Sequence, residues 1–208
     1  MNVAIGRKFA RVTTDAVVRA PRLWRVFRPL MRRQFDELAP EWDAILSEGH
    51  LASYERALES LPSPPRRALD LGTGTGDGAT AIARRFPDAG VVGADLSGAM
   101  VARARQKLPT ELAGRVRFEI ADASALPYED RAFDLVAHAN MIPFFDELDR
   151  VLAPGGQVLF AWSSGPETPI YVSSSRLRRE LEPRGFTDFA EFEAGAGTAL
   201  LARKADRS

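Results

Sequence analysis

The sequence has no cysteine and only two histidines among its 208 residues. Without thiols, disulfide bonds, thiolate metal sites and cysteine nucleophiles are excluded, and we expect no metal centre and a cytoplasmic protein. No apolar run approaches the roughly 20 residues that a membrane-spanning helix needs. The basic residues near the start are not followed by the apolar stretch of a signal peptide. Hydrophobic residues make up 45% of the chain, which is enough to bury the core of one domain.

Charge of either sign is not in excess overall, but it is unevenly distributed. Residues 1–33 hold eight arginines and Lys8 against Asp15 alone, a balance of +8, so the rest of the chain carries −8. Such asymmetry indicates either an anionic partner for the N-terminal segment or a solvated basic face packed on an acidic body.

A short apolar run, a glycine-rich turn and a helical pattern follow one another from residue 68 to residue 86. This order predicts a buried strand, a turn and a helix, the opening of a βαβ unit. The glycines allow a ligand to lie against bare backbone, and the helix start offers it unpaired N–H groups. The turn therefore predicts a ligand-binding site.

Two interpretations of this turn are open. Gly74-x-Gly76-x-x-Ala79 satisfies a loose dinucleotide fingerprint. Asp70-x-Gly72-x-Gly74-x-Gly76 fits better, because an acid before the glycines repels a pyrophosphate but suits an ammonium or sulfonium group. The stretch resembles motif I of the class I S-adenosylmethionine-dependent methyltransferases, and this resemblance implies that Asp70 serves the cofactor's amino end.

Acidic residues also end the next two predicted strands. Asp95 lies 21 residues beyond Gly74, the spacing of an acid that accepts hydrogen bonds from both hydroxyls of a ribose. The resemblance implies that Leu96 and Met100 contact the adenine faces. It also implies that Asp122 accepts from the adenine amine and that the Ala123 N–H donates to a ring nitrogen.

The resemblance extends beyond the core motifs. Residues 35–43 and 148–156 resemble segments of small-molecule methyltransferases, including those of quinone biosynthesis, which implies that Trp42 helps to cover the cofactor. Only nine residues separate His138 from Leu148, fewer than relatives use for this loop and its helix. We expect the N-terminal helices to replace part of the substrate wall.

The sequence as a whole predicts an α/β fold. Residues 1–61 form a predicted helical cap or lid, and residues 66–204 form the cofactor-binding domain, a doubly wound, mostly parallel seven-stranded sheet with an antiparallel last strand. We expect residues 1–34 to close over the substrate side of the sheet; the alternative is an arm that lies on an anionic membrane.

We therefore predict a methyltransferase that uses S-adenosylmethionine and acts on a small-molecule acceptor through an oxygen, nitrogen or carbon atom, with no nucleic-acid partner. His138 is the candidate general base, Asn140 a candidate for orienting the substrate, and His50 a structural residue. Two alternatives stay open: a cofactor-binding protein or partner subunit without methyl transfer, and a nicotinamide-dependent oxidoreductase. The predicted cofactor-binding residues are Asp70, Gly72, Thr73, Gly74, Gly76, Asp95, Leu96, Met100, Asp122, Ala123, His138 and Trp42.

Overall fold

The structure, a computed structural model, describes the backbone of residues 3–206 and their side chains except those of residues 3–7 and Phe9. The first two residues of the predicted cap lie outside it. Four helices come first, α1 (Val3–Arg19), α2 (Trp24–Leu38), α3 (Trp42–Ile45) and α4 (Ala52–Glu59). Then follow β1 (Arg67–Leu71), α5 (Asp77–Arg85), β2 (Gly90–Asp95), α6 (Gly98–Lys107), β3 (Val116–Ile120), β4 (Phe133–Ala139), α7 (Phe145–Val151), β5 (Leu152–Trp162), α8 (Ser174–Leu181), β6 (Phe186–Ala194) and β7 (Gly197–Lys204).

The seven strands form one sheet in the order β3-β2-β1-β4-β5-β7-β6. Neighbouring strands from β3 to β5 are parallel, whereas β7 runs antiparallel to both β5 and β6. This arrangement confirms the predicted α/β fold and its antiparallel last strand. The carboxyl ends of β1, β2 and β4 lie side by side, and in such sheets ligands bind at that edge.

The fifth strand begins earlier than the sequence predicts. The prediction starts it at Gln157, after a turn at Pro154-Gly155-Gly156, but β5 extends back to Leu152. Its pairing with β4 shifts register between Phe133 and Leu135, so the turn residues form an irregularity within the strand rather than a boundary. Such bulges insert extra residues without ending a strand.

Both faces of the sheet are covered by apolar side chains. On one face, Tyr54, Ala57 and Leu58 of α4 pack with the helices α5 and α6. On the other face lie α1, α2, α7 and α8. The fourth helix of the predicted cap is thus part of a layer that covers the sheet, and the predicted boundary between residues 61 and 66 stays a prediction.

Two prolines in the N-terminal segment behave differently. Pro21 begins a short 3-10 turn that separates α1 from α2. Pro29 lies inside α2, and the helix continues past it to Leu38. Within the described residues, no helix combines the length and the apolar content needed to cross a membrane.

Gly93 of β2 is packed so closely by neighbouring side chains that a larger residue there should destabilise the protein. A Cβ added at Gly93 would lie 2.5 Å from Cδ1 of Phe118 and 2.8 Å from Oγ1 of Thr73. Gly93→Ala should therefore lower the free energy of unfolding by about 1–3 kcal/mol, the usual effect of overpacking. Urea denaturation measures this change.

Gly90→Ala, at the first residue of the same strand, is the matched control. Its added Cβ would meet only the Arg66 carbonyl oxygen, at 3.8 Å. Equal losses of stability in the two variants would contradict the steric explanation.

Candidate active site

A cavity lies over the carboxyl ends of β1, β2 and β4. The loops that follow these strands form its floor, and α2, α3 and the segment after α3 form the opposite wall. The residues that line it are Trp24, Met31, Phe35, Trp42, Leu46, His50, Leu51, Asp70, Leu71, Gly72, Thr73, Gly74, Thr75, Asp77, Gly78, Ala94, Asp95, Leu96, Met100, Ala121, Ala123, Ala139, Asn140, Met141, Ile142, Phe144 and Ile170.

The glycine turn presents backbone to this cavity. Gly72, Gly74 and Gly76 have φ angles of 64°, 54° and 94°, in the left-handed region that only glycine adopts without strain. A Cβ on Gly74 would lie 3.2 Å from Nε1 of Trp42. The indole of Trp42 thus packs close to the turn, where the sequence predicts a residue that covers the cofactor.

Asp70 lies at the end of β1 and is 2% exposed. Its carboxylate accepts hydrogen bonds from the Tyr54 hydroxyl at 2.9 Å and the Thr73 hydroxyl at 2.6 Å. Burial raises the pKa of the Asp70 carboxyl to about 6, although these hydrogen bonds and one from the Ala79 N–H oppose the rise. A positive group placed beside it would favour the ionised form.

Asp95 ends β2 beside the same turn. Its two oxygens accept the N–H groups of Gly74, at 2.9 Å, and of Ser97, at 2.8 Å. Burial raises the pKa of this carboxyl as well, against the effect of those N–H groups. Because a carboxylate has about four acceptor sites, Asp95 can still accept hydrogen bonds from a diol.

Asp122 faces the N-terminal helices instead of the cavity. Its carboxylate accepts Nε1 of Trp24 at 2.8 Å and pairs with Nη1 of Arg28 at 3.0 Å. Partial burial raises its pKa, but the hydrogen bonds from Ser124, Arg28 and Trp24 outweigh burial and hold the pKa below its usual value. Ala123 does line the cavity. In this structure, Trp24 and Arg28 of α2 already bind the Asp122 carboxylate. The contact between Asp122 and adenine therefore stays a prediction.

The position of His138 does not fit the role of general base. The side chain is fully buried and does not line the cavity. Its ring meets the edge of Phe160, and neither ring nitrogen has a hydrogen-bond partner among the described residues. Burial lowers the pKa of the imidazole to about 3. A base must reach the proton that it removes, so the structure corrects this expectation.

Asn140, two residues beyond His138, does reach the cavity. Its Nδ2 donates to the Ser163 hydroxyl at 3.1 Å, and its Oδ1 accepts the Ser163 N–H at 3.0 Å. These bonds fix the amide beside the apolar wall. That position is consistent with the predicted role in orienting a substrate, which remains a prediction.

Sequence reasoning expected Trp24 or Phe27 to line the pocket, and Trp24 does, but it missed Phe144 of the apolar wall and the Tyr54 hydroxyl that donates to Asp70. Trp24, Met31 and Phe35 belong to the helical stripe of α2, where spacing alone indicates ordinary packing. Trp24 packs edge-to-face on Phe144, with ring centroids 5.4 Å apart. Only the short loop after His138 pointed to a wall supplied from elsewhere in the chain.

Comparisons with known proteins agree with this geometry. Residues 68–156 match the family described as a methyltransferase domain. The chain is 46% identical over 138 residues to a demethylmenaquinone methyltransferase of Thermus thermophilus, covering 60% of this chain and 62% of that protein. Residues 68–156 therefore form an S-adenosylmethionine-dependent methyltransferase domain.

A second relative is a malonyl-[acyl-carrier protein] O-methyltransferase of Halorhodospira halophila, 39% identical over 68% of this chain and 50% of that protein. The chain thus spans about half to two thirds of the length of these relatives. The crystal structure of a SAM-dependent methyltransferase from Aquifex aeolicus aligns with a TM-score of 0.66 at 19% identity, covering 79% of this chain and 97% of that one. At that identity the likeness concerns the fold.

The residues of this chain fit S-adenosylmethionine chemically. The cofactor carries an ammonium, a sulfonium, a ribose diol and an adenine. The cavity offers two carboxylates, Asp70 and Asp95, beside bare glycine backbone, together with apolar surface from Leu96 and Met100. A phosphate-bearing cofactor would meet the same acids unfavourably.

The raised pKa of Asp70 predicts how cofactor affinity depends on pH. A cofactor that brings positive charge to Asp70 binds the ionised carboxylate, so binding releases a proton below a pH of about 6. S-adenosylmethionine affinity should fall up to about tenfold per pH unit below that value and level off near pH 7. Calorimetric titration from pH 5 to pH 8 measures this dependence.

Asp70→Asn is the control for this prediction. It should bind the cofactor more weakly and lose most of the pH dependence, because its side chain has no proton to release. An unchanged pH profile in this variant would assign the dependence to another group.

Proposed function

We propose that this protein transfers the methyl group of S-adenosylmethionine to a small, apolar acceptor with an aromatic ring, such as a quinone precursor. One observation carries the proposal: the cavity joins the buried carboxylate of Asp70 and the partly buried carboxylate of Asp95, both at the glycine turn, to an aromatic wall under α2. Trp24, Phe35 and Phe144 belong to that wall. The naming of a relative as a demethylmenaquinone methyltransferase supports the same acceptor class.

In this proposal, Asp70 binds the amino group of the cofactor, Asp95 binds the ribose hydroxyls, and residues 72–76 follow the methionine part. Leu96 and Met100 contact the adenine, and Trp42 covers the turn. When bound, the cofactor supplies a methyl group that is already electrophilic. The task of the chain is then to hold both reactants in line and to exclude water, which can account for most of the acceleration.

No dedicated base is needed for an acceptor that ionises easily. His138 is buried away from the cavity, and Asp70 and Asp95 already accept hydrogen bonds from neighbouring groups. A hydroquinone loses a proton more readily than an aliphatic alcohol does. The site therefore favours such an acceptor over one that requires a strong base in the protein.

The lining also favours an apolar acceptor over an acidic one. Among the described side chains, no lysine or arginine lines the cavity. A malonyl group, named in the second relative, carries a carboxylate, and buried carboxylates are normally paired with a cation. The aromatic wall provides no such partner.

We further propose that α2 covers the acceptor and that its outer face contacts an anionic membrane. Six large hydrophobic side chains of the described residues are exposed, and Val12, Leu23, Val26 and Leu30 of this group lie on α1, α2 and the turn between them. Exposed arginines at positions 22 and 25 are their neighbours in the sequence. A basic helix with an exposed apolar stripe is typical of binding at a lipid surface, where an apolar acceptor resides.

Turnover tests the proposed activity directly. The protein should methylate a demethylated naphthohydroquinone, and not a malonyl thioester, with S-adenosylmethionine as donor. Mass spectrometry of the product and chromatography of S-adenosylhomocysteine measure the reaction. Binding of the cofactor without product on any acceptor would favour a non-transferring protein instead.

Asp95→Ala should weaken cofactor binding by ~1.5–3 kcal/mol, the usual effect of losing hydrogen bonds to a charged group. Asp88→Ala is the matched control, because Asp88 is an exposed acid in the turn before the same strand. If Asp95→Ala bound the cofactor as tightly as the unaltered protein does, the Asp95 carboxylate would not be part of the binding site.

Vesicle sedimentation tests the membrane contact. The protein should sediment with vesicles that contain anionic lipid and stay in solution with neutral ones, and added salt should release it. The double variant Val26→Glu/Leu30→Glu should stay in solution with both. Ser60→Glu/Ser63→Glu adds the same charge beyond α4, on exposed residues before β1, and should still sediment. If both double variants failed to sediment with anionic vesicles to the same extent, a specific lipid-binding face would be contradicted.

A further inference from the structure

The charges that line the cavity are unbalanced. Asp70, Asp77 and Asp95 are acids, and His50 is the one described lining residue that can carry positive charge. The methionine part of S-adenosylmethionine ends in a carboxylate, which needs a donor in such an acidic site. The inference that follows rests on the proposed function, since it assigns the partner of this carboxylate.

The ring of His50 is held in one orientation. His50 follows Gly49, whose φ of 72° turns the chain between α3 and α4. Its Nδ1 lies 3.1 Å from the Ser47 carbonyl oxygen. That oxygen only accepts, so Nδ1 carries a hydrogen. Nε2 is then the nitrogen that faces Asp77, 3.7 Å from its Oδ2, at the edge where the glycine turn meets α5.

Asp77 has another cation for its charge. Nζ of Lys107 lies 3.0 Å from Oδ1 of Asp77 and 2.6 Å from Oδ1 of Asp43. Arg103 also pairs with Asp43, at 3.2 Å. Two carboxylates are thus matched by two cations of α6. Nε2 of His50 is thereby left to bind an incoming carboxylate.

The start of α5 does not supply a full alternative. Helix starts attract anions through unpaired N–H groups, but the N–H of Ala79 already donates to Asp70. We propose that His50, with a hydrogen on both ring nitrogens, binds the carboxylate of the cofactor's methionine part through Nε2–H. This assignment replaces the structural role that the sequence indicated for His50.

Two ligands that differ only in the amino-acid part test this assignment. S-adenosylhomocysteine contains the carboxylate, whereas 5′-methylthioadenosine keeps the adenosine and the thioether but lacks the amino acid. In calorimetric titrations, His50→Ala should raise the Kd of S-adenosylhomocysteine about tenfold or more. The Kd of 5′-methylthioadenosine should change by less than about twofold, since the lost contact is not made to it.

Two further variants make the result specific. His50→Gln keeps an N–H donor without the charge and should weaken S-adenosylhomocysteine less than His50→Ala does. Glu48→Gln, on an exposed residue of the same segment, should leave both ligands unaffected. If His50→Ala does not fold, as judged by its melting curve without ligand, the same comparison is made with His50→Gln.

Equal weakening of both ligands would show that His50 only shapes the site, and an unchanged Kd for S-adenosylhomocysteine would show that it makes no contact; either result overturns the inference. Failure of the unaltered protein to bind S-adenosylhomocysteine would instead contradict the proposed function itself.

Discussion

The carboxylate of Asp70 is buried at the end of β1, and a buried charge is stable only where donors surround it. Those donors come from three separate parts of the chain: Tyr54 of α4, Thr73 of the glycine turn and the N–H of Ala79 in α5. The carboxylate also determines what can stand next to it. A Cβ on Gly78 would lie 2.7 Å from both of its oxygens. The Asp70 carboxylate thus connects the glycine turn, the start of α5 and α4 by hydrogen bonds to one another.

The same chemistry attaches the N-terminal helices to the sheet. Asp36 of α2 accepts the Ser97 hydroxyl at 2.6 Å, at the start of α6. Asp43 of α3 accepts the Thr75 hydroxyl, also at 2.6 Å. Asp122 accepts from α2 in the opposite direction. Carboxylates therefore bridge the helices and the loops after all three of the strands β1, β2 and β3, and these bridges place the aromatic wall over the cavity.

The sequence could predict what depends on local pattern. Apolar runs ended by glycine or an acid indicated the strands, and the acids at residues 70, 95 and 122 are at or just beyond the strand ends, as expected. It could not predict that Asp122 would meet Trp24, a contact across 98 positions. His138 shows a second limit. Because β4 is covered on both faces, alternation along the strand gives no sign of which polar residue is buried, and the cavity begins only at Ala139.

The fold shows where the basic residues of the N-terminal segment lie. Some basic residues of the N-terminal segment point inward: Arg28 pairs with Asp122, and Arg11 donates to the carbonyl oxygens of Pro166 and Thr168. Others are exposed. The first set bears out the packing of basic residues on the rest of the fold, whereas an anionic partner for the second set stays a proposal. Arg28 and Arg11 attach the helices to the rest of the fold, and Arg33 pairs with Glu37 of its own helix. Exposed arginines such as Arg22 and Arg25 are the ones that a separate anionic partner would have to meet.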